Sequence, residues 1–223
     1  MIRTGSDVNA VSRFAVNHLR IPTFYPIVPP THQHYVIDEK KAAQFDINDF
    51  AAQETQYQGF HFWSAADFVE AYRSGRKTPL QVAKSIIAAI KKSDEGPTPL
   101  RIFINYNETD ILEQATASTE RYKNKATIGV LDGVPIAVKD ELEVKGYPRG
   151  FGTKGNVIGV QPEQEDSIQV KKMRDAGAMI IGITNMQEFG TMPFGYNTFW
   201  GHTRNPYDTD RITGGSSSGS ASA

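Results

Sequence analysis

Two short stretches of the sequence combine residue types that can do chemistry. The first ends at Lys139, which follows the apolar run 134–138 (Val-Pro-Ile-Ala-Val). Ligands of open α/β sheets bind at the carboxyl ends of strands, so a strand over this run would present Lys139 to a ligand. A lysine among apolar residues can lose its hydration and act as a neutral amine that accepts a proton. The alternative is an exposed lysine paired with Asp140 or Glu141.

The second stretch is residues 214–220, Gly-Gly-Ser-Ser-Ser-Gly-Ser. Glycines let the backbone approach other groups closely, while hydroxyls and free N–H groups can bind an anion or relay protons. A flexible Gly/Ser linker is the alternative, although the specific run 200–208 (Trp-Gly-His-Thr-Arg-Asn-Pro-Tyr-Asp) is unusual before a linker. A P-loop is unsupported, because no Gly-Lys-Ser/Thr ending is present.

Composition excludes several other chemistries. The sequence has no cysteine, which excludes disulfides, zinc–thiolate sites and a cysteine nucleophile. His32 and His34 form a close pair without a third ligand nearby, so no metal or other cofactor is predicted. No Gly-x-Ser-x-Gly motif is expected to join a strand to a helix, which argues against a Ser-His-Asp hydrolase. The net charge of -1 argues against nucleic acid as a partner.

Capping residues and periodicity predict the elements that position these stretches. Ser64 and the pair Thr78-Pro79 are typical of helix N-termini. Strands are predicted at 101–105, 134–138 and 178–182, and further helices at 108–122 and about 163–176. Near-continuous apolar strands that alternate with helices indicate an α/β fold, with a sheet covered on both faces. Residues 1–60 are predicted to form a weak amphipathic helix at 6–20 and an extended segment that wraps a surface.

Four blocks, in this order, resemble the amidase-signature family. They are residues 131–140 (Leu-Asp-Gly-Val-Pro-Ile-Ala-Val-Lys-Asp), 176–178 with 182–189, 204–206 (Arg-Asn-Pro) and 214–219. Within the family, the sequence is similar to plant-type fatty acid amide hydrolases at three points. These are residues 101–106 (Arg-Ile-Phe-Ile-Asn-Tyr) leading into 110–115, Glu141 in place of a commoner asparagine, and the three consecutive serines. The resemblance implies an α/β fold with a mixed sheet sandwiched by helices, of which residues 61–223 would be the N-terminal half.

The resemblance also implies a Ser-cisSer-Lys triad. Lys139 would be the base and Ser216 the bridging serine, joined to Gly215 by a cis peptide bond. Ser216 and Ser217 are expected to bind the substrate as well. The implied activity is hydrolysis of carboxylic amides, in particular fatty acid amides such as N-acylethanolamines. The nucleophile would lie well beyond Ser216, but only seven residues follow. The chain is therefore expected to be a truncated form that is inactive alone.

Two alternatives remain open. One is an amidase with a different substrate, such as a glutamine amidotransferase subunit or a small-amide amidase, and the other is a non-catalytic short product that binds a partner. An intracellular location, cytoplasmic or at an endomembrane, is expected, because the sequence has neither a secretory signal nor the ~20 apolar residues that span a bilayer. Residues 6–20 and 57–63 are candidates for a peripheral membrane contact, and a homodimer is expected for the full-length form.

Overall fold

The structure, a computed structural model, describes residues 63–154 and 161–223. The helix and wrapping segment predicted within residues 1–60 lie outside the described residues. The elements, in chain order, are α1 (Ala65–Arg73), α2 (Pro79–Ser93), β1 (Phe103–Asn105), α3 (Glu108–Lys123), β2 (Pro135–Lys139), α4 (Ile168–Asp175), β3 (Met179–Thr184), a 3₁₀ turn (Glu188–Gly190), β4 (Arg204–Asn205), β5 (Asp208–Ile212) and α5 (Ser218–Ser222).

The first two helices begin at the residues that the sequence indicates. Ser64 Oγ accepts a hydrogen bond from Asp67 N, and the Asp67 carboxylate accepts one from Ser64 N. Thr78 and Gln81 form the same reciprocal box at the start of α2, with Pro79 in its first turn. Each box satisfies N–H groups that a helix start leaves without partners. Both predicted caps are confirmed.

The main sheet is mixed, as predicted. Its strand order is β1-β3-β2, with β3 parallel to β2 and antiparallel to β1. β3 is buried along its whole length. One face packs on α2 and α3 through Ala83, Ile87, Ile111 and Ala115 around Met179 and Ile181. The other face packs on α4 and on the chain after β2 through Val144, Tyr147 and Val170 around Ile180 and Ile183. Helices therefore cover the sheet on both faces.

A bulge in β3 sets the register near the end of β2. Ile136 lies opposite Ile180, but Ala137 lies opposite Gly182, so Ile181 is an extra residue with no partner in β2. Gly182 has a φ of +144°, and a Cβ there would lie 2.8 Å from Asn105 O. A larger residue is therefore excluded at this point of the strand. Beyond the bulge, Lys139 lies opposite Thr184.

The helix predicted at about 163–176 is shorter than expected. α4 begins at Ile168, because the backbone before it bonds to another segment. Pro162 and Glu163 form isolated bridges with Pro148 and Lys145. These bridges engage backbone groups that a longer helix would need, so the predicted start was wrong by about one turn and a half.

The helices are too short or too polar to cross a bilayer anywhere in residues 63–154 and 161–223. Of the residues predicted to contact a membrane, only Trp63 is described. Its side chain is exposed and packs edge-on against Phe68.

Asp132 anchors the turn that leads into β2. Its fully buried carboxylate accepts hydrogen bonds from Ser118 Oγ at 2.6 Å, Arg121 Nη2 at 2.6 Å and Nε at 2.8 Å, and Ile128 N at 3.0 Å. Burial alone would raise the pKa of Asp132, but these hydrogen bonds and the Arg121 charge outweigh it and hold the pKa below its ordinary value of 3.8. The anionic form of Asp132 therefore stabilises the fold.

The pH dependence of unfolding tests this anchor. A carboxyl whose folded pKa is lowered contributes stability above pH 3.8 and loses it as the pH falls through the folded pKa. Asp132→Asn should lower the free energy of unfolding at pH 7 by about 2–3 kcal/mol, because Arg121 and Ile128 N lose a charged acceptor. Urea unfolding between pH 7 and pH 3 should also show a shallower acid dependence in the variant.

The exposed pair Glu120–Lys123 offers a matched control. Glu120→Gln should change the free energy of unfolding by less than about 0.5 kcal/mol, since surface ion pairs contribute little. Identical acid dependence in Asp132→Asn and the unmodified chain would contradict the assigned role of Asp132.

Candidate active site

The structure brings Lys139 and Ser216 together, although 77 positions separate them in the sequence. Lys139 is the last residue of β2, and its Nζ donates a hydrogen bond to Ser216 Oγ at 2.8 Å. The lysine side chain is 18% exposed, so the amine is largely shielded from water. A base and a hydroxyl at this distance can exchange a proton.

The backbone holds Ser216 in place on both sides. The peptide bond between Gly215 and Ser216 is cis, as the family resemblance implies. The carbonyl of Ser216 accepts a hydrogen bond from Gln187 N at 2.9 Å. Gly195, with a φ of +69°, lies so close that a Cβ there would be 2.1 Å from Gly214 O. This close approach of two glycine-containing segments fixes the path of the chain before Ser216.

Lys139 has a second partner, Glu141. The two side chains form an ion pair with Nζ and Oε2 2.9 Å apart, and the Glu141 side chain is 47% exposed. The ion pair with Glu141 that the sequence offered as an alternative is therefore present, but Lys139 is not the exposed lysine of that alternative. Asp140, the other predicted partner, turns away from the lysine.

Asp140 holds the glycine loop that follows. Its buried carboxylate accepts hydrogen bonds from Gly150 N at 2.8 Å and Gly152 N at 2.7 Å, and its own carbonyl accepts one from Phe151 N. Burial raises the pKa of Asp140 above its usual range, against the opposing effect of these N–H donors and of Arg149. The residue next to the candidate base is thus structural.

The other serines of residues 214–220, the glycine-serine block, have different surroundings. Ser217 is half-buried, and its side chain forms no hydrogen bond with the described residues. The hydroxyls of Ser218, Ser220 and Ser222 bond to Asn185 O, to Thr184 Oγ1 and to Arg204 O. Ser216 Oγ therefore has Lys139 Nζ as its one partner in the described part of the chain.

One sequence-based expectation needs correction. Residues 215–219 read Gly-Ser-Ser-Ser-Gly, and in the structure this Gly-x-Ser-x-Gly pattern follows β5 and ends in the first two residues of α5. The central serine, Ser217, is not bonded to a histidine, and His202 instead stacks on the Tyr196 ring at 5.6 Å. The pattern is present, but the described residues do not form a Ser-His-Asp triad around it.

Asn197 is a structural residue of the site that sequence reasoning missed. It is 2% exposed, and its Nδ2 donates to Gly152 O at 2.8 Å and to Met186 O at 2.6 Å. Its Oδ1 accepts from Phe199 N and Trp200 N. One amide thereby joins the loop held by Asp140 to the segment that carries Gln187. All four partners are backbone groups, so no residue pattern in the sequence signals them.

The described residues contain no cluster of three or more His, Cys, Asp or Glu side chains placed to bind a metal ion. The pair His32 and His34 lies outside the described residues.

Comparison with known proteins assigns the family. The sequence model of the Amidase family matches residues 85–223, which is more than half of the chain. The chain belongs to the amidase-signature family. The fold and the blocks around Lys139 and Ser216 are thus those of an amidase-signature protein, as the sequence motifs predicted.

Three similar proteins show what share of an amidase-signature protein this chain covers. It is 43% identical to a fatty acid amide hydrolase of Arabidopsis thaliana over 164 residues, covering 73% of this chain and 26% of that protein. It is 34% identical to a glutamyl-tRNA(Gln) amidotransferase subunit of Endomicrobium trichonymphae, covering 70% of this chain and 31% of that protein. The solved peptide amidase of Stenotrophomonas maltophilia superposes with a TM-score of 0.64 at 28% identity, covering 72% and 33%. The chain thus spans about a quarter to a third of each relative.

The role of Asn197 can be tested by stability. Asn197→Ala should lower the free energy of unfolding by roughly 3 kcal/mol, because four backbone groups lose their partner and two of them, in Gly152 and Met186, are buried. Urea denaturation measures the loss. Asn124→Ala, at the exposed end of α3, is the control and should stay within about 0.5 kcal/mol of the unmodified chain. Equal stability of the two variants would show that the Asn197 amide does not join the two segments.

Proposed function

We propose that the protein hydrolyses carboxylic amides, and that these 223 residues supply its base and its bridging serine. The observation that carries the proposal is the 2.8 Å hydrogen bond from Lys139 Nζ to Ser216 Oγ in a chain of the amidase-signature family. The low exposure of Lys139 supports the same roles, because a shielded amine loses the hydration that favours its charged form.

The proposed mechanism is a two-step proton relay. Neutral Lys139 accepts the proton of Ser216, and Ser216 accepts the proton of an attacking hydroxyl. That hydroxyl forms a bond to the amide carbonyl carbon, and the C–N bond then breaks as the relay returns a proton to the leaving amine. Water attacks the resulting acyl ester in the same way and releases the acid.

The attacking hydroxyl is proposed to come from a residue outside these 223. The hydroxyls of Ser218, Ser220 and Ser222 are engaged elsewhere, and none of them bonds to Ser216 Oγ. Ser217, whose hydroxyl has no partner among the described residues, is proposed to contact the substrate together with Ser216.

Fatty acid amides, such as N-acylethanolamines, are the proposed substrates. The support is the 43% identity to the Arabidopsis fatty acid amide hydrolase, together with Glu141 and the three consecutive serines. The second candidate is release of ammonia from glutamine within an amidotransferase, which the 34% identity to the Endomicrobium protein supports. An assay of the same protein with a fatty acyl amide and, separately, with glutamine discriminates the two candidates by which substrate is hydrolysed.

Two proteins test the proposal: the 223-residue chain alone, and a chimera in which it is followed by the residues of the Arabidopsis relative beyond the aligned region. The chain alone should not hydrolyse an N-acylethanolamine, whereas the chimera should. Lys139→Ala and Ser216→Ala in the chimera should each reduce kcat by about 10³-fold, within the range that general acid–base groups contribute. The assay is release of free fatty acid under saturating substrate.

The exposed Lys145 provides the matched control, Lys145→Ala, since its backbone bonds to Glu163 and Asp166 and, among the described residues, its side chain forms no hydrogen bond or ion pair with Ser216 or Lys139. Its kcat should equal that of the unmodified chimera. Turnover by the 223-residue chain alone would overturn the proposed origin of the nucleophile. Full activity of the Lys139→Ala chimera would overturn the role of Lys139, provided that circular dichroism shows the variant to be folded.

A further inference from the structure

Glu141 lies where it can control the candidate base. Its Oε2 is 2.9 Å from Lys139 Nζ, and Ser216 Oγ lies 2.8 Å from the same nitrogen. The amine is therefore held between an anion and a hydroxyl. A site that needed only a base and a bridging serine would not require this carboxylate.

The carboxylate also borders the space beside Ser216. Gly190 has no side chain, and a Cβ at its position would lie 3.5 Å from Ser216 Oγ and 3.8 Å from Glu141 Oε1. The second oxygen of Glu141 thus lies beside the same glycine as the bridging hydroxyl. Glu141 is part of the site itself and not only a surface partner of Lys139.

The two protonation forms of Lys139 use these neighbours differently. An ammonium group carries three donors and no acceptor, so it can donate to Glu141 and to Ser216 at the same time. A neutral amine can accept the Ser216 proton, but it loses its charge attraction to the carboxylate. Glu141 therefore favours the ammonium form and opposes the proton transfer from Ser216.

No other charged group in the described part of the chain competes for this position. β3 and α5, which pack beside β2, carry no charged side chain. The carboxylate of Asp140 bonds to Gly150 and Gly152, and Glu188 accepts from Thr198 N and Oγ1. The guanidinium of Arg149 pairs with Glu143 and Glu163.

We propose that Glu141 is a positioning residue that orients the Lys139 amine towards Ser216 and whose charge opposes the transfer of the Ser216 proton to that amine. The catalytic consequence rests on the proposed function, but the coupling between the two side chains does not. A substrate that enters beside Gly190 would meet the carboxylate there.

Competitive labelling of lysine amines tests the coupling in the 223-residue chain. Acetylation by N-acetoxysuccinimide, followed by peptide mass spectrometry across pH 6 to 11, gives the midpoint of the pH dependence for each lysine. In Glu141→Gln the Lys139 midpoint should fall, because the variant removes the negative charge that lies 2.9 Å from the amine. Glu141→Asp keeps the charge and should restore most of the original midpoint.

Two internal references separate charge from accessibility. Lys171, which is exposed and paired with Asp175, should keep its midpoint in every variant. The acetylation rate of Lys139 levels off at high pH, and the value of this plateau reports how accessible the amine is. A change of the plateau without a change of the midpoint is therefore a purely structural effect. An unchanged Lys139 midpoint in Glu141→Gln, or equal midpoints in the Gln and Asp variants, would overturn the proposal.

The same substitution in the chimera gives the catalytic readout. The acidic limb of its pH–rate profile should move to lower pH in Glu141→Gln, in parallel with the labelling midpoint. If the midpoint moves but the chimera hydrolyses no amide, the coupling of Glu141 to Lys139 stands and the proposed function fails. If the chimera is active and its profile is unchanged, Glu141 does not control the base.

Discussion

The hydrogen bond between Lys139 and Ser216 is the constraint on which the site depends. It joins the end of β2 to the glycine-serine segment, across 77 positions of sequence. Neither side chain reaches the other through local structure, so the contact needs a correct register of β2 on β3 and a correct path of the chain before Ser216. A shift of β2 by one residue would turn Lys139 to the opposite face of the sheet.

Each half of this contact has its own support. On the lysine side, the anchor at Asp132 fixes where β2 begins, and the bulge at Ile181 fixes what lies opposite its end. On the serine side, Gln187 N holds the Ser216 carbonyl, and the Asn197 amide holds the segments around Gln187. These supports are mostly buried and bonded to the backbone, which suits a site whose geometry must persist without substrate.

Sequence reasoning reached the features that depend on local chemistry. The caps at Ser64 and Thr78 were predictable because a cap bonds to residues three positions away, and the buried strands because their side chains are almost continuously apolar. It failed at Pro162 and Glu163, whose backbone bridges to a distant segment. It also missed Asn197, whose partners are all backbone groups. For Lys139 it left Asp140 and Glu141 as equal partners, and only the glycine loop that binds Asp140 decides between them.

A double-mutant cycle on kcat tests most directly whether Lys139 and Ser216 act as one relay. It compares Lys139→Ala, Ser216→Ala and the double variant in the chimera that supplies the attacking hydroxyl. Because a relay fails completely when either member is removed, the double variant should be no slower than the slower single variant. Losses that multiply, with each substitution reducing the rate by the same factor whether or not the other is present, would contradict a shared proton path through Ser216.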